Sequence, residues 1–364
     1  MDANFHAARA LFAEGVGHYE KGRYADAERK FAEALALVPG RPSALTNLGA
    51  ARLKLGRAQD ALEALEAALA QEPDNFEALG HRATALTELG RHEEALAAFD
   101  RSLALNPRQA AAWSLRGNVL RELGRLDEAA ASFERAIAEG ADREMNEYFL
   151  AALRPGAAPP AAPRGYVRAL FDNYAEEFGD HLVRKLRYES PRVLAARLHK
   201  VEARGLDLGC GSGLCGPLLA PLVNGLDGVD LSPAILGKAR ELGVYDTLAE
   251  GDIVEYLAAT PHRYGIVVAA DVLVYLGDLA PVFAGVRSVL QPGGTFCFTV
   301  EDALGDGDIV LRPSLRYAHS EGYVRRMAQQ HGFAIDHIEQ RPLREDQGKP
   351  VLGLAVWLSA QGAA

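Results

Sequence analysis

Over the first 153 residues, apolar side chains recur every three or four positions, the spacing of helices with one buried face. The pattern also repeats as a whole. Ala27, Ala61, Ala95 and Ala129 stand 34 residues apart, and Gly22, Gly56, Gly90 and Gly124 keep the same interval, as do Pro39, Pro73 and Pro107. Each unit predicts two short amphipathic helices. A Gly-Arg turn (GRY, GRA, GRH, GRL) separates them, and Val-Pro, Glu-Pro or Asn-Pro closes the second. Alanine at the crossing lets two helices approach closely, while Phe31, Leu65, Phe99 and Phe133 fill the space between units.

The periodicity stops at residues 154–164, RPGAAPPAAPR, whose proline and alanine predict a semi-extended spacer. From residue 165 a helical stretch precedes a different pattern of short apolar runs. Arg204 to Leu208 predicts a buried strand, Gly209, Gly211 and Gly213 a loop, and Leu214 to Leu222 the start of a helix. LDGVDL ends at Asp230, and YGIVVAADVLVYLGDL is a fully buried run that ends at Asp271. GFAIDHIEQRPLRE and PVLGLAVWLSA, joined by a short connection, predict an antiparallel pair. The chain is thus multidomain: an all-α array over 1–153, a linker over 154–164 and an α/β domain over 165–364.

The glycine loop is the candidate site. Glycine lets backbone lie against a ligand, and the following helix N-terminus offers unpaired N–H groups. Two patterns overlap there: acid, any residue, then Gly-x-Gly-x-Gly from Asp207 to Gly213, and the dinucleotide pattern G-x-G-x-x-G at Gly211, Gly213 and Gly216. Asp230, at the end of the next strand, is placed to accept both hydroxyls of a ribose, which a nicotinamide dinucleotide also carries. These residues alone leave both readings open.

Asp207-Leu208-Gly209-Cys210-Gly211-Ser212-Gly213 resembles the first motif of class I S-adenosylmethionine-dependent methyltransferases. Leu231-Ser232-Pro233, Glu250-Gly251-Asp252-Ile253, Asp271 with Val272 to Tyr275, and Pro292-Gly293-Gly294 follow in that family's order. The resemblance implies a Rossmann-like, seven-stranded, mostly parallel sheet that binds S-adenosylmethionine. It further implies that Asp252 accepts from the adenine amino group, that Ile253 packs on the ring, and that Asp271 borders the methyl-transfer cleft. Phe171-Asp172-x-Tyr174-Ala175, with Phe178 and His181-Leu182, resembles the N-terminal lid of small methyltransferases fused to tetratricopeptide repeats, which implies that Tyr174 closes over the cofactor. The implied cofactor-binding set is Tyr174, Asp207, Gly209, Cys210, Gly211, Gly213, Asp230, Leu231, Asp252, Ile253 and Asp271.

The N-terminal array resembles tetratricopeptide repeats, through its 34-residue period, Leu48-Gly49 and Trp113. Four repeats span about Ala8 to Ala141, with Leu11 at the Trp position of the first and Ala141 at the Pro position of the last. Residues 142–153 would be a capping helix. The resemblance implies a concave face with Phe12, Tyr19, Thr46, Lys54, Thr84, Thr87, Asn118 and Arg121, suited to a protein or peptide partner; the competing reading packs this face on the second domain. It lacks the dense Lys and Asn rows that clamp a C-terminal carboxylate, so no chaperone-tail binding is expected.

A net charge of −10 gives no general attraction to phosphate backbones or anionic lipid, which makes nucleic acid a secondary hypothesis. Cys210, Cys215 and Cys297 form no CxxC pair, a pattern suited to a reducing compartment. No apolar run reaches membrane-spanning length and the N-terminus has no signal pattern, so a cytoplasmic protein is expected. Glu301, Asp302, Asp306 and Asp308 read as a solvated acidic loop; no metal is expected, because they miss the D-x-D-x-D-G spacing and no His or Cys ligand set stands elsewhere. Tyr275, Tyr317 and His319 fall in loops expected near the acceptor, but His319 precedes Ser320, a helix N-cap, and no catalytic residue is assigned. The readings carried forward are a methyltransferase whose repeats recruit a protein, peptide or carrier-bound acceptor, a repeat-based adaptor with little turnover, and an NAD-dependent oxidoreductase.

Overall fold

The computed structural model describes residues 2–154, 156, 158–174, 188–305, 307–346 and 349–361, apart from the side chains at positions 2, 173, 174 and 346. The lid positions Ala175, Phe178, His181 and Leu182, the Tyr174 side chain and Asp306 lie outside the described residues. The chain divides into two compact units, Met1–Leu153 and Arg154–Ala364.

In the first unit, helices α1 (Asp2–Glu20), α2 (Tyr24–Leu37), α3 (Pro42–Lys54), α4 (Ala58–Leu69), α5 (Phe76–Glu88), α6 (His92–Leu105), α7 (Ala110–Glu122) and α8 (Leu126–Ala138) form four antiparallel pairs, followed by α9 (Arg143–Leu153). The repeated glycines 22, 56, 90 and 124 turn between the helices of each pair with φ of +71 to +73°, a conformation a Cβ would strain. Ala27, Ala61, Ala95 and Ala129 are wholly buried. Helix α9 covers the last repeat: the Phe149 ring lies 5.1 Å from Phe133, and the Ser114 hydroxyl donates to Asn146 Oδ1 at 2.8 Å.

The expected groove is only partly a surface. Phe12 lies against Phe31 at 5.6 Å and Tyr19 against Tyr24 at 5.3 Å, both leaning on the core of the first repeats, and Thr46 is buried. Those three hold the array together, because aromatic and methyl surface gains more from burial than from water. Thr84 and Thr87 turn their hydroxyls back to the carbonyls of Gly80 and Ala83, whereas Lys54 is exposed.

The second unit is built on one sheet. β1 (Arg204–Leu208), β2 (Leu226–Asp230), β3 (Thr247–Glu250), β4 (Tyr264–Ala269) and β5 (Leu290–Asp302) run parallel in the order β3-β2-β1-β4-β5. β9 (Lys349–Ala360) pairs antiparallel with β5, and β8 (Phe333–Asp346) antiparallel with β9, which completes the expected seven. Two short strands are added, β6 (Ile309–Leu311) and β7 (Tyr317–His319). β5 outruns β4, whose last partner is Phe298, and β7 takes the vacated edge at Glu301 and Asp302. An unpaired buried edge would leave backbone polar groups unsatisfied, so the hairpin continues the line of β4 past its end. Tyr317 and His319 therefore lie in a strand, not in a loop.

Alternation along the strands separates two apolar layers: Val267 and Ala269 face the layer with Phe283 and Phe296, Ile266 and Val268 the layer with Leu194 and Trp357. Helices α10 (Arg164–Tyr174), α11 (Ser190–Ala195), α12 (Gly216–Leu219), α13 (Pro233–Glu241), α14 (Ile253–Ala259), α15 (Ala280–Val289) and α16 (Glu321–Gln330) accompany the sheet. The helix expected from 214 is short; Pro217 stands at its start, and a 3-10 turn over Ala220–Leu222 replaces its continuation.

Residues 159–162, expected as free spacer, are docked. Pro160 O accepts the N–H groups of Gly277 and Asp278 at 2.8 and 2.9 Å, Ala162 N–H donates to Tyr275 O at 2.8 Å, and Pro159 O accepts the Tyr317 hydroxyl at 2.7 Å. A proline run offers carbonyls without competing donors, and this one lies against a loop that has donors to spare.

A cofactor-sized cavity at the strand ends

A cavity of about 350 Å³ opens at the carboxyl ends of β1, β2 and β4, where open parallel sheets take ligands. Its size is within the roughly 300–1,000 Å³ of small-molecule sites. Gly209, Cys210, Gly211, Asp230, Leu231, Asp252, Ile253 and Asp271 of the expected set line it. Asp207 and Gly213 do not, and for Tyr174 only the backbone, ending α10, is described.

The glycine loop is shaped by what surrounds it. Gly209 has φ +64°, and a Cβ there would stand 2.4 Å from Val272 Cγ2; at Gly213, φ +87°, it would stand 2.6 Å from Leu242 Cδ1. Gly211 N–H is held by Asp230 Oδ2 at 2.9 Å, and Asp230 Oδ1 accepts Ser232 N–H at 3.0 Å. Burial raises the Asp230 pKa, while the Ser232, Gly211 and Leu231 N–H groups oppose that shift. With three N–H groups on its two oxygens, the carboxylate keeps an acceptor position for a ligand hydroxyl.

Asp252 caps α14, its Oδ1 accepting Val254 and Glu255 N–H at 2.9 and 3.1 Å, while Oδ2 faces Arg164 at 3.4 Å. Helix α10 is fastened over this end of the cavity by three polar contacts. Arg164 pairs with Glu255 at 2.7 Å, Arg168 with Glu250 at 3.2 Å, and Ser232 donates to Asp172 at 2.5 Å. Val167 and Phe171 of that helix line the wall.

Asp271 ends the fourth strand in the left-handed region, φ +58°, its N–H donating to Thr299 Oγ1 at 2.8 Å. A non-glycine residue in this conformation is uncommon and costs about 1 kcal/mol or more. Arg344 on β8 holds its carboxylate at 3.1 and 3.3 Å and also donates to Glu301. Glu301 and Asp302, expected in a solvated loop, are thus buried: Glu301 belongs to the ion cluster, while the Asp302 carboxylate accepts from Gln340 and its main-chain carbonyl from Arg312. Arg316 and Tyr188 also line the cavity; neither they nor Arg344 carry a mark in the sequence, because long-range contacts leave no local spacing to find.

Asp207 lies behind the loop. It is 1% exposed, accepts the Tyr245 hydroxyl at 2.7 Å, and is pushed up to about 7 by burial, against the hydrogen bond from Tyr245. His319 is wholly buried; its Nε2–H donates to Gly277 O at 3.0 Å, and burial pulls its pKa down to about 4. It is absent from the cavity wall. Tyr275 lines the cavity, whereas Tyr317 does not.

Among known families, a Tetratricopeptide repeat model matches residues 18–80 and 52–119, another such model matches 110–140, and a Methyltransferase domain model matches 206–296. The Ubiquinone biosynthesis O-methyltransferase of Xanthomonas euvesicatoria pv. vesicatoria is 29% identical over 118 residues, covering 31% of this chain and 48% of that protein. The protein of the same name from Cereibacter sphaeroides strain KD131 is 30% identical over 118 residues, 32% of this chain and 48% of its own length. The chain thus spans about half the length of the curated relatives it matches. Among solved structures, the N-methyltransferase NodS from Bradyrhizobium japonicum WM9, in complex with S-adenosyl-l-homocysteine, aligns with 54% of this chain and 99% of its own at TM-score 0.45 and 19% identity. MamA aligns with 36% of this chain and 77% of its own at TM-score 0.34 and 23% identity. Among the described residues no helix is long and apolar enough to cross a membrane. The chain carries tetratricopeptide repeats in its N-terminal region and, after them, a methyltransferase domain of the S-adenosylmethionine-dependent class.

Proposed function

We propose that this chain transfers the methyl group of S-adenosylmethionine to an acceptor, and that its repeats recruit that acceptor as part of a protein, peptide or carrier. The observation that carries the reading is the cavity itself: main chain from Gly209 to Gly211 on one side, with the Asp230 carboxylate fixed beside it by two backbone N–H groups. The cradle fits a nucleoside, since side-chain-free main chain at Gly209 and Gly211 and the Asp230 carboxylate face one cavity of about 350 Å³. When bound, the cofactor supplies a sulfonium methyl; the carbon–sulfur bond breaks as an acceptor lone pair forms the new one, leaving a neutral thioether and, from an O–H or N–H acceptor, a proton.

The chain's own residues then bind and align. Asp230 takes the ribose hydroxyls, Ile253 packs on the base, and the second oxygen of Asp252 accepts from the adenine amino group. Asp271, Val272 and Tyr275 border the transfer cleft, and α10 excludes water from the nucleoside end. The curated relatives are named for O-methylation, which makes oxygen a candidate acceptor atom here. Cys210, Cys215 and Cys297 are buried thiols whose pKa burial raises, in keeping with a reducing, cytoplasmic setting.

Calorimetry of the full chain against S-adenosylmethionine, S-adenosylhomocysteine and NAD tests the reading. Binding of the first two and not the third is expected; binding of NAD alone overturns it in favour of an oxidoreductase. Lysate incubated with the protein and radiolabelled methyl donor should show label in a protein or metabolite fraction, and an unlabelled lysate would leave the repeats as an adaptor.

A further inference from the structure

We propose that Arg316 receives the methyl acceptor through an anionic group, a carboxylate or a phosphate, so that the substrate of this domain is an acid. The inference rests on the methyltransferase reading of the cavity. Arg316 lines the cavity at the start of β7, which continues the line of β4 past its end, so its guanidinium stands beyond Asp271. Its Cζ lies 5.8 Å over the Tyr275 ring.

The partners of Arg316 hold it in place without using its hydrogens. The nearest carboxylate oxygens, on Asp271 and Glu301, are both 3.9 Å away, beyond hydrogen-bond distance. Both acids already accept shorter bonds from Arg344, at 3.1 and 3.3 Å for Asp271. Arg312 satisfies the remaining side of the cluster, donating to Asp302 O at 2.6 Å and facing Glu301 at 3.7 Å. Among the described residues no hydrogen bond is made by the Arg316 guanidinium, although its side chain is only 27% exposed. Arg312, Arg316 and Arg344 also outnumber the two carboxylates they face, Asp271 and Glu301, so an incoming anion meets no excess negative charge there.

A guanidinium has five donors in a planar fork that matches a carboxylate or phosphate, and one held in place beforehand loses little entropy on binding. The Tyr275 ring beside it adds apolar wall to the cavity for a planar or aromatic acid. Among the described residues the other cation on the cavity wall, Arg164, is committed to Asp252 and Glu255 at the nucleoside end.

The test uses the full chain saturated with S-adenosylhomocysteine and two matched probes, fluorobenzoate and fluorobenzamide, followed by fluorine NMR, with phenyl phosphate as competitor. Wild type should bind the benzoate more tightly than the benzamide. R316Q should weaken benzoate binding about tenfold or more and leave S-adenosylhomocysteine affinity within about twofold. Displacement by phenyl phosphate at lower concentration than by unlabelled benzoate would assign a phosphate, the reverse a carboxylate. An equal loss of S-adenosylhomocysteine affinity in R316Q would place the cofactor's own carboxylate on Arg316 and overturn the proposal, as would equal binding of the two probes by wild type. Should R316Q fail to fold, R316K decides: it keeps the charge and loses the fork, and wild-type affinity for the benzoate would overturn the proposal. Wild type that binds no S-adenosylhomocysteine would instead remove the methyltransferase reading beneath it.

Discussion

The Tyr245 hydroxyl donates to Asp207 Oδ2 at 2.7 Å, and the same ring lies 2.8 Å from where a Cβ at Gly216 would stand. The acid that opens the glycine motif therefore supports the loop from behind, through a tyrosine some forty residues on. Tyr245→Phe removes the hydroxyl and leaves a buried acid without that donor. The methyltransferase domain should lose about 1–3 kcal/mol of stability in denaturant melts, with a smaller effect on cofactor affinity. An unchanged melt would show that Asp207 needs no donor from Tyr245.

Gly209→Ala should disable the site for a reason that a second substitution exposes. The added methyl would collide with Val272 Cγ2 at 2.4 Å, and the φ of +64° adds backbone strain. Overpacking of this kind costs about 1–3 kcal/mol and the left-handed backbone about 1 kcal/mol more. Val272→Ala removes the collision and not the strain, so the double variant should recover part of the lost S-adenosylhomocysteine affinity in calorimetry. Additive losses would mean that the two residues do not press on each other.

Much of this arrangement was legible in the sequence because it is local. The 34-residue period placed the repeat helices, and the glycine loop with Asp230, Asp252 and Asp271 named the part of the cavity wall at the strand ends. What was missed is long-range. Nothing near Arg344 or Arg316 marks them as partners of Asp271 and Glu301, and an acidic run at the end of β5 reads as solvated until three arginines are found beside it. The hairpin from Ile309 to His319 was hidden because its strands have three residues each, too few to show alternation. Proline at 159 and 160 pointed to a spacer, whereas its carbonyls are what the loop at Gly277 needed.

Asp230→Ala should weaken S-adenosylmethionine binding by about 1–3 kcal/mol, since it removes a charged acceptor from the ribose and releases the Gly211 and Ser232 N–H groups that shape the loop. The repeats should unfold as in wild type. Unchanged affinity would remove Asp230 from the ribose site.

The repeats offer a test that leaves the cavity alone. A Cβ at Gly117 would stand 2.5 Å from Phe133 Cε1, whereas the equivalent position in the preceding repeat is Ala83, buried without exposure. Gly117→Ala should therefore destabilise the array by about 1–3 kcal/mol while cofactor affinity stays unchanged. Wild-type stability would show that Phe133 yields its place readily.

Asp207 and His319 act in opposite directions on the pH dependence of the second unit. Asp207 is raised in the fold to about 7, so its stabilising contribution is complete below its ordinary pKa near 4 and is lost as pH rises through 7. His319 is lowered to about 4, so its contribution is complete above its ordinary pKa of about 6.5 and is lost as pH falls through 4. Between about pH 4.5 and 6.5 the unfolded chain holds one proton fewer at the first site and one more at the second, and the two slopes cancel. Asp207→Asn, which keeps an acceptor for Tyr245, should shift the slope of stability against pH upward from that of wild type by up to about 1.4 kcal/mol per unit across that window. His319→Gln, which keeps a donor for Gly277, should shift it downward from wild type by a similar amount. Denaturant melts at several pH values, followed by Trp357 fluorescence in a Trp113→Phe background, read the second unit alone, because these are the chain's two tryptophans. A slope unchanged from wild type in either variant would show that the group removed titrates at its ordinary value in the folded chain.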